Sequence, residues 1–159
     1  MREDSNDFND GSPIKPRVIN QHLNAVYPAL VLLAGMELDL FSHLSEESKG
    51  VEQLAQEMSL KVSKLRPLLF ALVSAGLLEI NDDLFKNTEE AQEFLVKGKP
   101  RYFGDSYSTY QDLWKSTLFT AQSIRQAIPL AKHDFSNMTA EQLYGFIIGL
   151  DSGAAATAR

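Results

Sequence analysis

Hydrophobic positions along the chain change period several times, and each change marks an element. From Val18 to Met36 apolar residues crowd every side of a helical wheel, interrupted by Pro28, which lacks an N–H and clashes with the turn before it. The pattern predicts one kinked helix or two separate ones, and a helix apolar all round has to be buried against something. "MELDLFSHL" continues as a short amphipathic helix with Leu38, Leu40, Phe41 and Leu44 facing a core. After the polar "SEESKG", Val51, Leu54, Ala55 and Met58 recur at helical spacing and predict another short helix. Ser63 is placed to cap a further helix, whose Leu65, Leu68, Leu69, Leu72 and Val73 form an apolar stripe. Pro67 falls in its first turns, and Gly76 is a stop able to take positive φ.

Beyond Gly76 the period drops to two. "LLEI" and "LFKN" flank the turn formers Asn81, Asp82 and Asp83, which predicts a hairpin. Thr88 caps the next helix, with Glu89 and Glu90 near the positive end of its dipole. Helices followed by such a hairpin are the element order of a winged helix. Past a loop with Gly98, Pro100 and Gly104, a long helix is predicted from about Asp105 to Ile128, closed by Pro129. Its Tyr107, Tyr110, Trp114, Thr117, Ala121, Ile124 and Ile128 recur every three or four residues, a seam for another helix. Thr139 and Gln142 spell a capping box for a last helix expected to bury Leu143, Phe146, Ile147 and Leu150. Gly145, Gly149 and Gly153, four apart, open one face of it to close approach. The expected fold is mainly α, a winged-helix core with a small β-hairpin wing, extended by long C-terminal helices. Its segments are a disordered arm at 1–17, a core at 18–104, and the long and final helices at 105–159.

Composition narrows the function. A chain of 159 residues that is 44% hydrophobic and 23% charged has enough apolar residues for one domain with a sizeable core. A net charge of -6 argues against a protein that neutralises phosphates or coats an anionic membrane. The longest apolar run, Ala25 to Met36, is 12 residues and contains Pro28, too short to span a bilayer. With no apolar stretch near the N-terminus to serve as a signal peptide, a cytoplasmic protein is expected. Zero cysteines remove disulfides, thiolate metal sites and cysteine nucleophiles together.

Winged helices often read DNA, and charge tests that reading. Between Val51 and Thr88 the acids Glu52, Glu57, Glu79, Asp82 and Asp83 outnumber the bases Lys61, Lys64, Arg66 and Lys86. Two acids sit at the wing tip, where bases would track the backbone. Lys61, Lys64 and Arg66 do cluster at a helix start, so a transcription regulator stays an alternative. His22, His43 and His133 lack metal-ligand spacing, and no nucleophile elbow occurs. No residue is assigned a catalytic, cofactor-binding or metal role.

The runs "GMELDLFSHL", "VEQLAQEMSLKVSKLRPLLFALVSAGLLEI", "NTEEAQEFL" and "RYFGD", in this order and spacing, resemble the N-terminal dimerisation domain of S-adenosylmethionine-dependent small-molecule O-methyltransferases. The group includes hydroxyneurosporene-type, antibiotic-tailoring and plant phenolic enzymes, and the resemblance covers roughly Val18 to Asp151. It departs at Gly50, where the family has a Thr or Ser cap. The resemblance implies a wing that has lost DNA binding, an intertwined homodimer, and helices that cover a small-molecule acceptor pocket. It also implies a catalytic half that begins soon after the point where this chain stops at Arg159. This chain has no GxGxG, so alone it should neither bind S-adenosylmethionine, the cofactor of a full-length relative, nor transfer a methyl group.

The candidate dimer-interface residues are Val26, Tyr27, Leu30, Leu33, Tyr107 and Tyr110. Trp114, Phe146 and Leu150 are candidates for stacking on a flat or apolar acceptor, which the resemblance places in a pocket shared with a catalytic domain. A free-standing adaptor for a separate methyltransferase subunit is the second alternative.

Overall fold

A computed structural model of the chain describes residues 14–130, 135 and 138–157. The N-terminal rod consists of α1 (Arg17–Asn24) and α2 (Val26–Glu37). Pro28 is the third residue of α2, and the carbonyl it cannot serve belongs to Asn24, the last residue of α1. Ala25 between them keeps right-handed helical angles (φ -63, ψ -16), so the rod is interrupted without turning a corner. At its far end Asp39 takes a left-handed φ of 55, which ends the rod at Leu38 and starts α3 (Leu40–His43) in a new direction. This reversal buries Leu40, Phe41 and Leu44 and leaves Leu38 37% exposed, correcting its expected place in the core. The strained corner is held from both sides. Asp39 accepts hydrogen bonds from Ser42 Oγ (2.7 Å) and Lys97 Nζ (2.9 Å), and the Lys97 amide donates to Ser42 Oγ (3.1 Å).

The core lies between α3, α4 (Val51–Glu57), α5 (Val62–Ser74), the strands and α6 (Glu89–Phe94). Leu40, Phe41, Leu54, Leu69 and Leu72 lose all contact with solvent, and α2 closes one side with Val31, Leu32 and Met36. Gly35 makes that closure possible, since a Cβ there would stand 2.9 Å from Phe41 Cε2 and 3.5 Å from Leu72 Cδ1. Residues Leu65, Leu69 and Leu72 of the α5 stripe are buried. The cap differs from expectation: α5 starts two residues earlier, with Lys61 as N-cap, so Ser63 lies inside the first turn and caps nothing. At the other end Gly76 (φ 76) forms a Schellman stop, with its N–H on Val73 O (3.0 Å) and the Leu77 N–H on Leu72 O (3.0 Å).

The wing pairs β2 (Leu78–Asn81) with β3 (Leu84–Asn87) in antiparallel register, Ile80 opposite Phe85. Asp82 and Asp83 both take positive φ (48 and 61), the requirement of a two-residue type I′ turn. A third strand, β1 (Lys49–Gly50), joins the far side of β3, giving the order β1-β3-β2. Two residues are too short for a periodic signal, so sequence reasoning missed it. Thr88 caps α6 as expected, its Oγ1 accepting from the Ala91 N–H (3.3 Å).

Beyond a loop, a 3-10 turn (Gly104–Ser106) leads into α7 (Tyr107–Thr117), α8 (Thr120–Gln126) and α9 (Ala140–Thr157). The single long helix expected from Asp105 to Ile128 is therefore broken at Leu118–Phe119. The hydroxyls of Ser116, Thr117 and Thr120 each donate to a carbonyl three residues back, at 2.7 Å. The Phe119 N–H does the same to Ser116 O (3.1 Å), so the α-type ladder lapses there. A left-handed Ala127 (φ 54) ends α8 before Pro129. The capping box of α9 is reciprocal: Gln142 N–H on Thr139 Oγ1 (3.2 Å) and Thr139 N–H on Gln142 Oε1 (2.9 Å).

Candidate dimerisation surface and pocket-facing helices

Apolar residues without cover are gathered on the flanks of the chain. Among the described residues, eighteen of the twenty exposed large hydrophobic side chains lie before residue 39 or after residue 109; Phe70 and Leu84 are the others. The rod α1–α2 carries Val18, Ile19, Leu23, Tyr27 and Leu30, between 47% and 67% exposed. No residue of α1 is buried, and Gly35 alone is buried in α2. Scattered exposed Leu residues need no explanation, but several on one rod make it a candidate interaction surface.

Of the dimer-interface candidates, Tyr27 (62%), Leu30 (47%) and Tyr110 (41%) face solvent, while Val26, Leu33 and Tyr107 are half-buried. Tyr107 is engaged within its own chain. Its hydroxyl donates to Glu37 Oε2 (2.7 Å) and accepts from Gln111 Nε2 (2.8 Å), tying α7 to the end of the rod. Loss of solvent and the Glu37 carboxylate push its phenol up to about 12. Tyr110 instead lies beside Phe103, ring centroids 5.7 Å apart.

The pocket candidates are on two packed helices. α9 sits on the 3-10 turn and α7 through Gly149, where a Cβ would stand 2.6 Å from Thr109 Oγ1 and 3.3 Å from the Asp105 carbonyl. At Gly145 a Cβ would meet nothing within 4 Å, so close approach is confined to one of the two described positions. The side of Gly153, like His133, lies outside the described residues. Because the small face turns inward, Leu143 (39%), Ile147 (53%) and Leu150 (53%) turn outward, correcting the burial expected for them. Phe146 is half-buried against the edge of Phe135 (5.4 Å), and Trp114 is half-buried on α7. The structure thus places Trp114 and Phe146 on helices in contact, with Leu150 one turn beyond Phe146. Leu113, Leu118 (85%), Phe119 and Ile124 (75%) extend the apolar surface; Leu118 and Phe119 lie at the break, which a continuous helix does not predict, and Leu113 lies off the predicted seam.

Charges near the wing are mostly paired. Arg66 meets Glu52 (2.9 Å), Lys86 meets Glu79 (2.8 Å), and Lys49 meets Glu57 (2.8 Å). Hydrogen bonds from Lys49 and then Gln53 hold the Glu57 carboxyl below the usual range. Among the described residues no group of three His, Asp or Glu side chains is arranged to hold a metal, and no helix is long and apolar enough to cross a membrane.

Known proteins are similar to this chain in sequence and in fold. PigF of Serratia sp., an S-adenosyl-L-methionine-dependent methyl transferase, is 29% identical over 90 residues, covering 57% of this chain and 26% of that protein. TcmO of Streptomyces glaucescens, a tetracenomycin polyketide synthesis 8-O-methyl transferase, is 33% identical over 90 residues, covering 56% of this chain and 26% of that protein. This chain is therefore matched to about a quarter of the length of each. Human N-acetylserotonin methyltransferase shares the fold, with a TM-score of 0.71 at 20% identity over 91% of this chain and 48% of that one. Residues 20–97 match the O-methyltransferase dimerisation domain, a span that holds most of the exposed rod and the whole buried core. That segment of the chain is an O-methyltransferase dimerisation domain.

Proposed function

We propose that this chain is the dimerisation and pocket-covering region of an S-adenosylmethionine-dependent O-methyltransferase acting on a small molecule, and that it assembles as a homodimer. The observation that carries this reading is the segregation of exposed apolar side chains onto α1, α2, α7, α8 and α9, outside a core whose fourteen buried hydrophobic residues all lie between 40 and 96. A second copy is the occupant the family predicts for the rod face, through Val26, Tyr27, Leu30, Leu33 and Tyr110, with Tyr107 bracing α7 behind it. Segment 18–104 is then the dimerising core, and segment 105–159 reaches toward the catalytic domain. Trp114, Phe146 and Leu150 are the side chains we assign to the acceptor pocket, where a half-buried aromatic next to exposed aliphatics suits a flat, weakly polar ligand.

S-adenosylmethionine does not fit the described residues. The sheet is antiparallel, and the two glycines at positive φ, Gly76 and Gly98, follow helices rather than join a strand to a helix. We assign this chain no step of methyl transfer. Nucleic acid is an unsuitable partner, since Asp82 and Asp83 occupy the wing tip and Arg66 and Lys86 are held by glutamates.

Sedimentation of the purified chain across a concentration series tests the assembly, and a dimer dissociating on dilution is the expected result. Trp114, the sole tryptophan, reports the pocket. In a methyltransferase that joins this region to a catalytic domain, a flat aromatic acceptor should quench the part of the fluorescence that Trp114→Phe removes, and a Trp114 component unchanged across a panel of acceptors contradicts its assignment.

A further inference from the structure

Five apolar residues of the rod, three exposed and two half-buried, recur at one helical spacing. Ile19, Leu23, Val26, Leu30 and Leu33 are separated alternately by four and three residues, the spacing of a two-helix seam. Ile19 and Leu23 are 62% and 67% exposed, Leu30 is 47% exposed, and Val26 and Leu33 are half-buried. On a helical wheel this face is opposite Gly35, the point where α2 rests on Phe41 and Leu72. The seam is therefore turned away from the chain's own core.

Charge and topology choose its direction. Between residues 14 and 37 the permanently charged side chains are Lys15 and Arg17 at the start and Glu37 at the end. A parallel pair would stack like charges at both ends, whereas an antiparallel pair brings the basic end of each copy toward the acidic end of the other. α1 also buries nothing, and it meets α2 end to end across Ala25 rather than side by side. In an antiparallel pair α1 gains the partner's α2 as cover, which a parallel pair would deny it.

We propose that the α1–α2 rods of two copies pair antiparallel about a two-fold axis, with Ile19 and Leu23 of one copy against Leu30 and Val26 of the other. The pairing rests on the homodimer reading above and adds its direction and register. The chain has no cysteine, so introduced thiols report without background. Ile19→Cys and Leu30→Cys change exposed positions, and circular dichroism checks that each variant is folded. Treated with a short bis-maleimide, a re-equilibrated mixture of the two variants should give the 19-to-30 cross-link as its main product. Ile19→Cys alone should give little, because its two copies would lie about 16 Å apart along the helix axis. Efficient self-linking of Ile19→Cys in a dimeric sample means a parallel pair and overturns the proposal. A dimer that forms neither link overturns the rod seam itself, and a monomer by sedimentation overturns the homodimer reading together with it.

Discussion

Residues 40–96 and the segments on either side of them use apolar side chains in opposite ways. In the central region fourteen hydrophobic residues from α3 to the loop after α6 are buried, and Phe70 and Leu84 are its exposed large ones. In α1, α2 and α7–α9 comparable residues stand on the surface, on elements as short as seven or eight residues. Helices of that length are marginal in water without packing. The central region is covered by its own chain, and on the reading proposed above the flanks are completed by another body.

Mutations should separate the two regions. The largest effect belongs to the core: Phe41→Ala removes a fully buried ring and should cost about 3–5 kcal/mol in chemical denaturation, at any protein concentration. Leu30→Asp should leave the unfolding of the monomer nearly unchanged. It should weaken self-association by about 2 kcal/mol, roughly thirtyfold in Kd, because an unpaired carboxylate would be buried in the contact. Sedimentation equilibrium reads that difference.

Gly149→Ala should cost about 1–2 kcal/mol, since its methyl group would press on Thr109 and on the Asp105 carbonyl. The loss should appear as faster hydrogen exchange in α9 with α5 unaffected. Tyr107→Phe deletes the bond to Glu37 and should cost about 0.5–1 kcal/mol at neutral pH. The phenol is raised from 10.0 to about 12, so below pH 10 both states are protonated and its contribution is fully present; between 10 and 12 the unfolded state loses the proton first and stability falls. The variant should show a shallower alkaline decline in thermal unfolding. Asp83→Gly relieves a non-glycine residue at φ 61 in the type I′ turn and should gain about 0.5 kcal/mol, raising Tm slightly.

What could be read from the sequence follows the same division. The α5 stripe, the Asp82–Asp83 turn, the Gly76 stop and both threonine caps depend on local chemistry, and pattern alone located them. Leu38 was misplaced because a left-handed Asp39, held by Ser42 and Lys97, depends on a contact 58 residues away. The break at Leu118 was hidden because apolar periodicity ran through it, while the hydroxyls of Ser116 and Thr117 redirected the backbone bonding. The spacing of Leu143, Ile147 and Leu150 predicts a buried face, yet apolar spacing does not say whether the burying surface is in the same chain. The same ambiguity affects the rod, whose seam is legible as spacing and whose partner is not.

The most direct test of the account is sedimentation equilibrium of the wild-type chain beside Leu30→Asp. The flanks as described require a wild-type dimer and a variant shifted to monomer with unchanged circular dichroism. A wild-type chain that stays monomeric at high concentration, or a variant that associates as tightly as wild type, would contradict the claim that the exposed rod is the dimerisation surface.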